Sequence, residues 1–453
     1  MQALKDKKYM IVGAGLTGLS VARWCVRNGY DFDLCDTRTG LANAENIRNE
    51  FSTASLFLGE LDVHRLIRYE QLVVSPGIAL STPAIAEAKE LGVQVTGDIQ
   101  IFAERCTQPI VAITGSNGKT TVATLVGELL AAAGKTVAVG GNIGVPALDL
   151  PQADLYVLEL SSFQLETTPN LNAAVAVILN ISADHMDRYN DLNAYIAAKQ
   201  QVFNGCKNIV FNRDDQATKA VTKETAAAKP GTSSAAVAFT ANEPNKGEFG
   251  VINKHGKEWI AYGDTTLLAT DELKLKGRHN ILNAVAALAL VQALDIDINS
   301  TLQVLKEFPG LPYRCQWLGV KDGITFYNDS KGTNVGATLA AIEGVAKGIK
   351  GQVWLLLGGV GKGQDFSPLA KVCSQYVAEV QVYGEASKEI IAAISDSCDS
   401  FEHDTLQNAF NRARLLANEG DVILFSPACA SFDQFEDYMA RGAYFTSLVE
   451  AIL

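Results

Sequence analysis

Residues 110–134, "IVAITGSNGKTTVATLVGELLAAAG", form the pattern of a buried strand, a glycine loop and an apolar helix that begins at Lys119. Backbone N–H groups of such a loop and of the helix N-terminus bind phosphate oxygens, and the lysine adds a positive charge. The strict P-loop pattern requires a glycine five positions before Gly118, where this chain has Ile113. An ordinary glycine turn is the alternative, but strand, loop, lysine and helix together favour a phosphate site.

Similar strand and helix patterns alternate along most of the chain. Short apolar, β-branched runs are separated by stretches rich in alanine and leucine, which is typical of parallel sheets covered by helices. Several runs end in glycine or small polar residues, where α/β sheets present ligands. We therefore predict the α/β class. A new strand and loop after Val95 and the prolines at Pro309 and Pro312 predict three domains, 1–95, 96–310 and 311–453.

Composition excludes several classes of function. Acidic residues outnumber basic ones, 50 to 38, and the net charge of -12 disfavours binding to nucleic acid or to anionic membranes. The start, "MQALKDKKYMIVGAG", lacks the pattern of a signal peptide, and no apolar stretch reaches the length of about 20 residues that spans a bilayer. The eight cysteines never form a CxxC pair. We expect reduced thiols in a cytoplasmic protein.

A second glycine pattern, "GAGLTG" at residues 13–18, follows the first strand. It matches the loop that binds the diphosphate of NAD or FAD, and Asp36 follows at the spacing of the acid that binds ribose in such enzymes. This local pattern alone favours a dinucleotide-binding oxidoreductase. A diphosphate of another ligand would suit the same turn.

One carboxylate, Glu159, lies near the end of the apolar strand in "ADLYVLELSSFQLE". A solitary acid in a strand that is buried on both faces requires a cation or strong hydrogen-bond donors to offset its desolvation. Magnesium at nucleotide phosphates is one explanation, and a salt bridge to an arginine is the other.

The stretch "ISADHMDRYNDLNAYIAAKQQVF" combines a polar loop with a helix that we expect to be capped near Asn190 or Asp191. Lys199 falls on or beside the apolar face of that helix. It either extends its ammonium to solvent or is a functional amine whose charged form is destabilised by burial. His185 in the loop is either a structural histidine or a functional one.

Four later motifs place polar residues after strands or at a helix start: "GRHNILNA", "NDSKGTN", "LGGVGKG" and "SPACASFDQF". We expect the small residues of the last motif to open a helix that binds a carboxylate. No Ser/His/Asp order or G-x-S-x-G motif supports a hydrolase.

These motifs, with "TGSNGKTT", "GGNIG", "ELSSFQLE", "DHMDRY", "AAK" and "LPYRCQ" in chain order, resemble the Mur ligase family, and within it the members that add D-glutamate. The resemblance covers nearly the whole chain, and the family's own loop reads TGxNGKT. It implies a Rossmann-like domain for a UDP-sugar, a central P-loop-type ATPase domain with a mainly parallel sheet, and a Rossmann-like C-terminal domain for an amino acid.

The activity implied by the resemblance is one step of peptidoglycan precursor synthesis. ATP phosphorylates the carboxylate of UDP-N-acetylmuramoyl-L-alanine, and the amine of D-glutamate then displaces phosphate from the acyl phosphate. The implied cofactors are ATP and two Mg²⁺ ions, and we expect a monomer. Another amino-acid-adding Mur ligase and a folylpolyglutamate-synthase-like ligase are the alternatives, although the latter starts close to its phosphate loop.

The resemblance also implies site residues. The implied catalytic residues are Lys119, Glu159, His185, Lys199 and Lys331. The implied ATP-binding residues are Gly115, Ser116, Asn117, Gly118, Lys119, Thr120, Thr121, Asn142, Asn283, Arg314 and Asp329. The implied residues for the UDP-substrate are Leu16, Thr17, Asp36, Thr37, Arg38, Ser75, Gly77, Asn142 and Ser161. The implied D-glutamate residues are Thr333, Lys362, Ser431 and Tyr438. The implied metal ligands are Thr120, Glu159, His185 and Lys199, the last as a carbamate. The family more usually has other residues at Phe432 and a phenylalanine at Tyr438.

Overall fold

The computed structural model describes residues 9–218, 236–275, 277–346 and 349–453. Residues 1–8, which belong to the start used for the signal-peptide prediction, lie outside the described residues. Strands of the described part form three sheets, whose surrounding segments we call the first, central and third domains. Within the same part of the chain, no helix is both long and apolar enough to cross a membrane.

The first domain contains a parallel sheet of five strands in the order β3-β2-β1-β4-β5. Its strands are β1 (Tyr9–Val12), β2 (Phe32–Asp36), β3 (Leu56–Leu58), β4 (Gln71–Val74) and β5 (Gln94–Thr96). Its helices are α1 (Leu16–Asn28), α2 (Ala44–Glu50), α3 (Val63–Leu66) and α4 (Pro83–Glu90). Apolar clusters cover both faces of the sheet, as expected for parallel strands.

The central domain contains a sheet in the order β14-β13-β12-β11-β10-β9-β6-β8-β7. Its strands are β6 (Ile110–Thr114), β7 (Val137–Gly141), β8 (Leu155–Glu159), β9 (Val175–Ile178), β10 (Asn208–Asn212), β11 (Ala236–Phe239), β12 (Phe249–Lys254), β13 (Lys257–Tyr262) and β14 (Thr265–Ala269). Its helices are α5 (Asp98–Arg105), α6 (Lys119–Ala132), α7 (Ser162–Leu165), α8 (Leu192–Gln200), α9 (Arg278–Gln292) and α10 (Leu302–Glu307). Pairing is parallel from β7 to β12, so the predicted mainly parallel sheet is confirmed.

Strands β12 to β14 form an antiparallel meander that the sequence analysis did not predict. The first turn contains His255 and Gly256, with φ of 56° and 77°, which suits a tight hairpin. The signal was present as the short polar stretch "KHGK" between two apolar runs.

The third domain contains six strands in the order β15-β16-β20-β17-β18-β19, and its pairing is parallel except between β15 and β16. Its strands are β15 (Gln316–Lys321), β16 (Ile324–Asn328), β17 (Val353–Gly358), β18 (Val377–Tyr383), β19 (Ser400–His403) and β20 (Val422–Phe425). Its helices are α11 (Val335–Ala346), α12 (Pro368–Tyr376), α13 (Ser387–Ile394), α14 (Leu406–Leu416) and α15 (Tyr438–Glu450).

The predicted breaks fall close to the changes of sheet. Val95 lies within β5 and pairs with Leu72, so the first sheet continues one residue past the predicted boundary. Pro309 and Pro312 lie between α10 and β15, after the last helix of the central domain.

Candidate active site

The phosphate loop, residues 115–118, connects β6 to α6, and the helix begins at Lys119 as predicted. Its conformation is fixed by Asn180, whose Oδ1 accepts from Asn117 N at 2.9 Å and whose Nδ2 donates to Asn117 O at 3.1 Å. Gly118 has φ of 82°, and a Cβ there would lie 2.5 Å from Asn283 Oδ1. The left-handed conformation and the close approach of Asn283 both require glycine.

Two lysine amines lie on the carbonyl side of this loop. Lys119 Nζ donates to Gly115 O and Ser116 O, both at 2.8 Å, and Lys199 Nζ donates to Gly115 O at 2.9 Å. Burial lowers the pKa of Lys119, and the nearby charge of Glu159 only partly offsets that effect. Gly115 lines no cavity described below, and its carbonyl is a shared acceptor.

Lys199 is 2 % exposed, so its side chain does not extend to solvent. Its helix is capped at Asp191, as predicted, since Asp191 Oδ1 accepts from Ala194 N at 2.8 Å. Its amine also lies 4.6 Å from the centre of the Tyr195 ring. Burial, reinforced by the charge of Lys119, lowers the pKa of Lys199 well below its ordinary value. A neutral amine is therefore favoured, as the functional interpretation of this lysine requires.

Glu159, 2 % exposed, accepts from Thr120 Oγ1 at 2.7 Å and from Asn142 Nδ2 at 3.0 Å. Arg314 Nη2 donates to the same Thr120 hydroxyl. Among the residues that the structure describes, no arginine forms a direct ion pair with Glu159, but Arg314 contacts it through the Thr120 hydroxyl. Burial lowers the pKa of Arg314, and the charge of Glu159 partly offsets that effect.

A hydroxyl and a carboxylate in contact are oxygen donors that suit Mg²⁺, which usually takes one or two protein ligands and completes its shell with phosphates and water. The described residues contain no group of three or more His, Cys, Asp and Glu side chains able to hold a metal. A phosphate-dependent Mg²⁺ site does not need such a group.

His185 lies in the loop before α8, with its Nε2 3.7 Å from Asp184 Oδ2. Its ring packs edge-on against Phe163 with 4.9 Å between centres. Burial lowers its pKa, so the imidazole is neutral at pH 7. A neutral imidazole and a bare Lys199 amine are poor Mg²⁺ ligands, whereas a carbamate on Lys199 would supply the oxygen atoms that this ion prefers.

The central cavity, about 350 Å³, lies between the central and third domains. It brings together all five predicted catalytic residues, Lys119, Glu159, His185, Lys199 and Lys331. It is also lined by all four predicted amino-acid residues, Thr333, Lys362, Ser431 and Tyr438. Phe432 lines it as well and is 73 % exposed, whereas Ser431 beside it is buried.

Lys331 lies close to Tyr438, with its Nζ 4.1 Å from the centre of the ring. Burial, together with the charge of Arg314, lowers the pKa of Lys331 to about 8. The ammonium form therefore predominates at neutral pH, where it can interact with an anionic ligand in the central cavity.

A second cavity, about 280 Å³, adjoins the other side of the phosphate loop. Six predicted ATP-binding residues line it, namely Asn117, Gly118, Thr121, Asn283, Arg314 and Asp329. It is also lined by five residues that were not predicted from the sequence, namely Asn180, Ser182, Asn280, Ala337 and Ala340. The small residues come from one face of α11, a feature that motif reading does not reveal.

The third cavity, about 430 Å³, opens on the first domain. It brings together the predicted residues Leu16, Thr17, Asp36, Thr37, Arg38, Ser75, Gly77 and Asn142. Ser161 is separate from this set: it lines the central cavity and caps α7, where its Oγ accepts from Gln164 N at 3.2 Å. Gln164, which was not predicted, lines the third cavity instead.

Asp36 binds the "GAGLTG" loop of the first domain. Its carboxylate accepts from Ala14 N, Arg38 N and the Arg38 guanidinium at 2.8 to 3.0 Å. The hydrogen bond from Arg38 lowers the pKa of Asp36 to about 2. With four donors on its two oxygens, this carboxylate is less available to a ribose than the dinucleotide pattern suggests.

The prediction for "SPACASFDQF" is wrong in one respect. After β20 the chain forms a loop, and α15 begins only at Tyr438, capped by Asp437, whose Oδ1 accepts from Ala440 N at 2.7 Å. Ser431 therefore lies in a loop and not at a helix N-terminus. The small residues follow the buried end of β20, where Ala428 takes a φ of 58° that a helix excludes.

Family models match three segments of the chain. These are the N-terminal domain of MurD-like Mur ligases at residues 7–97, the Mur ligase middle domain at 113–291, and the Mur ligase glutamate ligase domain at 313–429. Two curated relatives bear the name UDP-N-acetylmuramoylalanine--D-glutamate ligase. One, from Pseudomonas syringae pv. tomato, is 45% identical over 99% of both chains. The other, from Pseudomonas aeruginosa, is 44% identical over 99% of this chain and 98% of its own.

Solved structures of low sequence identity share the fold. A UDP-N-acetylmuramate-alanine ligase from Thermotoga maritima has a TM-score of 0.62 and 19% identity, and covers 98% of this chain and 99% of its own. The MurF ligase of Thermotoga maritima, in complex with ADP, has a TM-score of 0.59 and 16% identity, and covers 100% of this chain and 99% of its own.

Proposed function

The chain belongs to the Mur ligase family, and we propose that it is the ligase that joins D-glutamate to UDP-N-acetylmuramoyl-L-alanine in an ATP-dependent reaction. The names of its full-length relatives support this substrate pair. The observation that carries the proposal is the connection between the three cavities. The central cavity shares Asn117, Gly118, Arg314 and Lys331 with the second cavity, and it shares Asn142 with the third.

This arrangement suits a reaction between two bound substrates. A nucleotide in the second cavity would direct its terminal phosphate past Gly118 into the central cavity. A UDP-sugar in the third cavity would direct its peptide carboxylate past Asn142 into the same space. The two reacting groups would then meet beside Lys119 and Glu159, and holding them in this orientation removes much of the entropic cost of the reaction.

The first chemical step would transfer the γ-phosphoryl group to the carboxylate. A carboxylate is a poor electrophile, and phosphorylation supplies it with a good leaving group. The reaction brings several negative charges together. The side chains of Lys119, Arg314 and Lys331 line the cavity and would stabilise these charges.

Thr120 and Glu159 would hold one Mg²⁺, and His185 with a carbamylated Lys199 would hold a second. When bound, these ions neutralise phosphate charge and polarise the transferring group. Carbamylation needs a neutral amine, which burial favours at Lys199.

In the second step the D-glutamate amine would attack the acyl carbon, the C–O bond to phosphate would break, and the amide would form with loss of a proton. Lys362, Thr333 and Ser431 line the central cavity and would bind the carboxylates of the amino acid. We further propose, as the resemblance to the family implies, that the enzyme acts as a cytoplasmic monomer with domains 1–95, 96–310 and 311–453.

The decisive experiment measures phosphate release with a panel of amino acids. We expect release only when ATP, Mg²⁺, UDP-N-acetylmuramoyl-L-alanine and D-glutamate are all present. Release with L-alanine or diaminopimelate in place of D-glutamate would indicate a different amino-acid-adding ligase, and release with a folate substrate would indicate the folylpolyglutamate type.

A dinucleotide-binding oxidoreductase is the candidate from another class, since "GAGLTG" alone favours it. It predicts that NADH quenches tryptophan fluorescence or is oxidised. The four donors on Asp36 argue against it, because a ribose-binding acid needs a free oxygen.

A further inference from the structure

Arg441 on α15 has the largest side chain in the fully buried set, with 0% of the residue exposed. Its guanidinium forms no ion pair with any described carboxylate. A buried cation without a carboxylate is costly unless hydrogen bonds satisfy its donors and a structural or functional requirement retains it.

Its donors reach three different segments. Nε donates to Ser330 Oγ at 3.1 Å, and Nη2 donates to Ser330 O at 2.9 Å. Nη2 also donates to Cys429 O at 2.9 Å, and Nη1 donates to Gly358 O at 3.4 Å. All four bonds go to backbone carbonyls or a hydroxyl, so the guanidinium acts as a rigid fork between chain segments.

Each segment carries part of the proposed amino-acid site. Residues 329–334, the 330 loop, carry Lys331 and Thr333; residues 358–363, the 359 loop, carry Lys362; and residues 426–437, the 430 loop, carry Ser431. Arg441 lies one helical turn after Tyr438, whose carbonyl accepts from Ser330 Oγ at 2.8 Å. Each residue that we propose binds the amino acid therefore lies either in a loop to which Arg441 donates a hydrogen bond or, in the case of Tyr438, on the same helix as Arg441.

The backbone around the guanidinium is built for close contact. Gly359 has φ of 126°, and a Cβ there would lie 2.0 Å from Ala430 O and 3.1 Å from Arg441 Nη1. The 359 and 430 loops also pair directly, through Val360 N to Ala430 O at 2.9 Å and Ala430 N to Val360 O at 3.0 Å. A side chain at position 359 would therefore displace the 430 loop or the Arg441 guanidinium.

We propose that Arg441 is the positioning residue of the amino-acid site, which holds the 330, 359 and 430 loops in the register that binds the dicarboxylate. The identity of the amino acid in this inference rests on the proposed function. The hydrogen bonds from Arg441 to the three loops, which we call the junction, do not depend on it. A lysine at this position keeps the charge but cannot form the fork.

The test compares Arg441→Lys with Val449→Ala, a control on the same helix. Val449 is fully buried in the apolar cluster that contains Phe445 and Phe410, and it lies about two helical turns after Arg441. We expect Arg441→Lys to raise KM for D-glutamate by about 10-fold or more, with KM for ATP changed less than about 3-fold. We expect Val449→Ala to lower the melting temperature and leave KM for D-glutamate within about 2-fold. An equal effect of the two variants on this KM would overturn the proposal.

Chemical rescue gives a second measurement if Arg441→Lys folds poorly. In Arg441→Ala, guanidinium at low millimolar concentration should lower the raised KM for the amino acid, whereas tetramethylammonium should not. No difference between the two ions would count against a fork.

Hydrogen–deuterium exchange separates this inference from the proposed function, because it needs no substrate. Faster exchange in the three loops of Arg441→Lys than in Val449→Ala supports the junction whichever amino acid is used. Unchanged loop exchange would overturn it. The wild-type amino-acid panel described above decides the acceptor independently.

Discussion

Lys362 of the third domain donates to Asp184 of the central domain, with 3.0 Å between Nζ and Oδ1. Burial alone would raise the pKa of Asp184, but the charge of Lys362 and its hydrogen bond hold it below its ordinary value. The contact joins Lys362, which we propose binds the amino acid, to Asp184, which precedes the proposed metal ligand His185 in the sequence. A second pair, Asn117 and Asn334, bonds across the same boundary at 3.2 and 3.4 Å. Asn334 Nδ2 also donates to Asp184 Oδ2 at 3.2 Å, so these contacts form one hydrogen-bond network that joins the two domains beside the central cavity.

Substitution Lys362→Met should weaken binding of the amino acid. The variant keeps a long side chain but removes the cation, so we expect KM for D-glutamate to rise by about 10- to 100-fold. Initial rates of phosphate release at varied D-glutamate measure this. The control Lys371→Met replaces an exposed lysine on α12 and should leave the KM unchanged. An equal rise in KM for ATP would contradict the assignment of Lys362 to the amino-acid site.

Substitution Lys119→Ala should separate the nucleotide site from the UDP-substrate site. Lys119 lines the central cavity but not the third, so we expect ATP turnover to fall by at least about 100-fold. Calorimetry should detect UDP-N-acetylmuramoyl-L-alanine binding of wild-type affinity. Lys135→Ala, at an exposed position shortly after the end of α6, is the matched control. Loss of both functions in Lys119→Ala would argue against separate sites.

Much of this site could be predicted because the chemistry lies where strands end. The phosphate loop follows β6, and Glu159 is the last residue of the neighbouring strand β8. The ends of adjacent parallel strands meet at one edge of the sheet. Arg441 and Gln164 could not be found in this way. Arg441 interrupts the buried face of α15, which also contains Phe445 and Val449, but the helix pattern does not reveal which distant loops its guanidinium contacts. Gln164 lies in a short helix whose sequence does not reveal that its side chain lines the third cavity.

The antiparallel meander shows another limit of prediction from sequence. Its hairpin signal is local, but the alternating strands and helices that precede it favour parallel pairing. The position of Ser431 in a loop was not readable either, since small residues after a strand suit both a loop and a helix start.

Substitution Glu159→Gln should raise the requirement for magnesium. The amide keeps the size and can still bond to Thr120, but it removes the negative charge that would attract the ion. We expect the Mg²⁺ concentration for half-maximal activity to rise by about 10-fold or more. A titration of phosphate release with Mg²⁺ measures it. Glu128→Gln on the exposed face of α6 is the control, and an unchanged Mg²⁺ requirement in Glu159→Gln would exclude a ligand role.

Substitution Asp329→Asn should change how stability depends on pH. Burial raises the pKa of Asp329 to about 7 from an ordinary 3.8, although Ser426 and Cys315 donate to its oxygens. Between these values the folded carboxyl holds a proton that the unfolded chain has released. This group therefore makes stability fall as pH rises from about 4 to 7, and has no further effect above that range.

We expect the fall in melting temperature between pH 5 and pH 7.5 to be smaller in Asp329→Asn than in the wild type. Thermal unfolding at the two pH values, without nucleotide, measures the difference. The exposed control Asp396→Asn should behave as the wild type does. An equal fall in Asp329→Asn and the wild type would show that the carboxyl is ionised in the folded protein throughout this range.

Substitution Lys199→Ala should abolish activity, and small carboxylates should partly restore it. The Lys199 amine is fully enclosed next to the Gly115 carbonyl, and its lowered pKa favours the neutral form that reacts with carbon dioxide. A carbamate there would place oxygen ligands beside the phosphate loop, and acetate or formate could occupy the space that alanine leaves. We expect a loss of at least about 100-fold, with partial recovery in millimolar acetate or bicarbonate.

The control for this prediction is Lys207→Ala, which removes an exposed lysine shortly after α8 and should retain full activity. Depletion of carbon dioxide provides an independent test on the wild-type enzyme, which should lose activity and regain it when bicarbonate is added. Full activity in untreated Lys199→Ala would refute the carbamate, because a structural lysine alone would then explain the buried amine. Loss without rescue, in an enzyme insensitive to carbon dioxide, would assign Lys199 to support of the phosphate loop through Gly115.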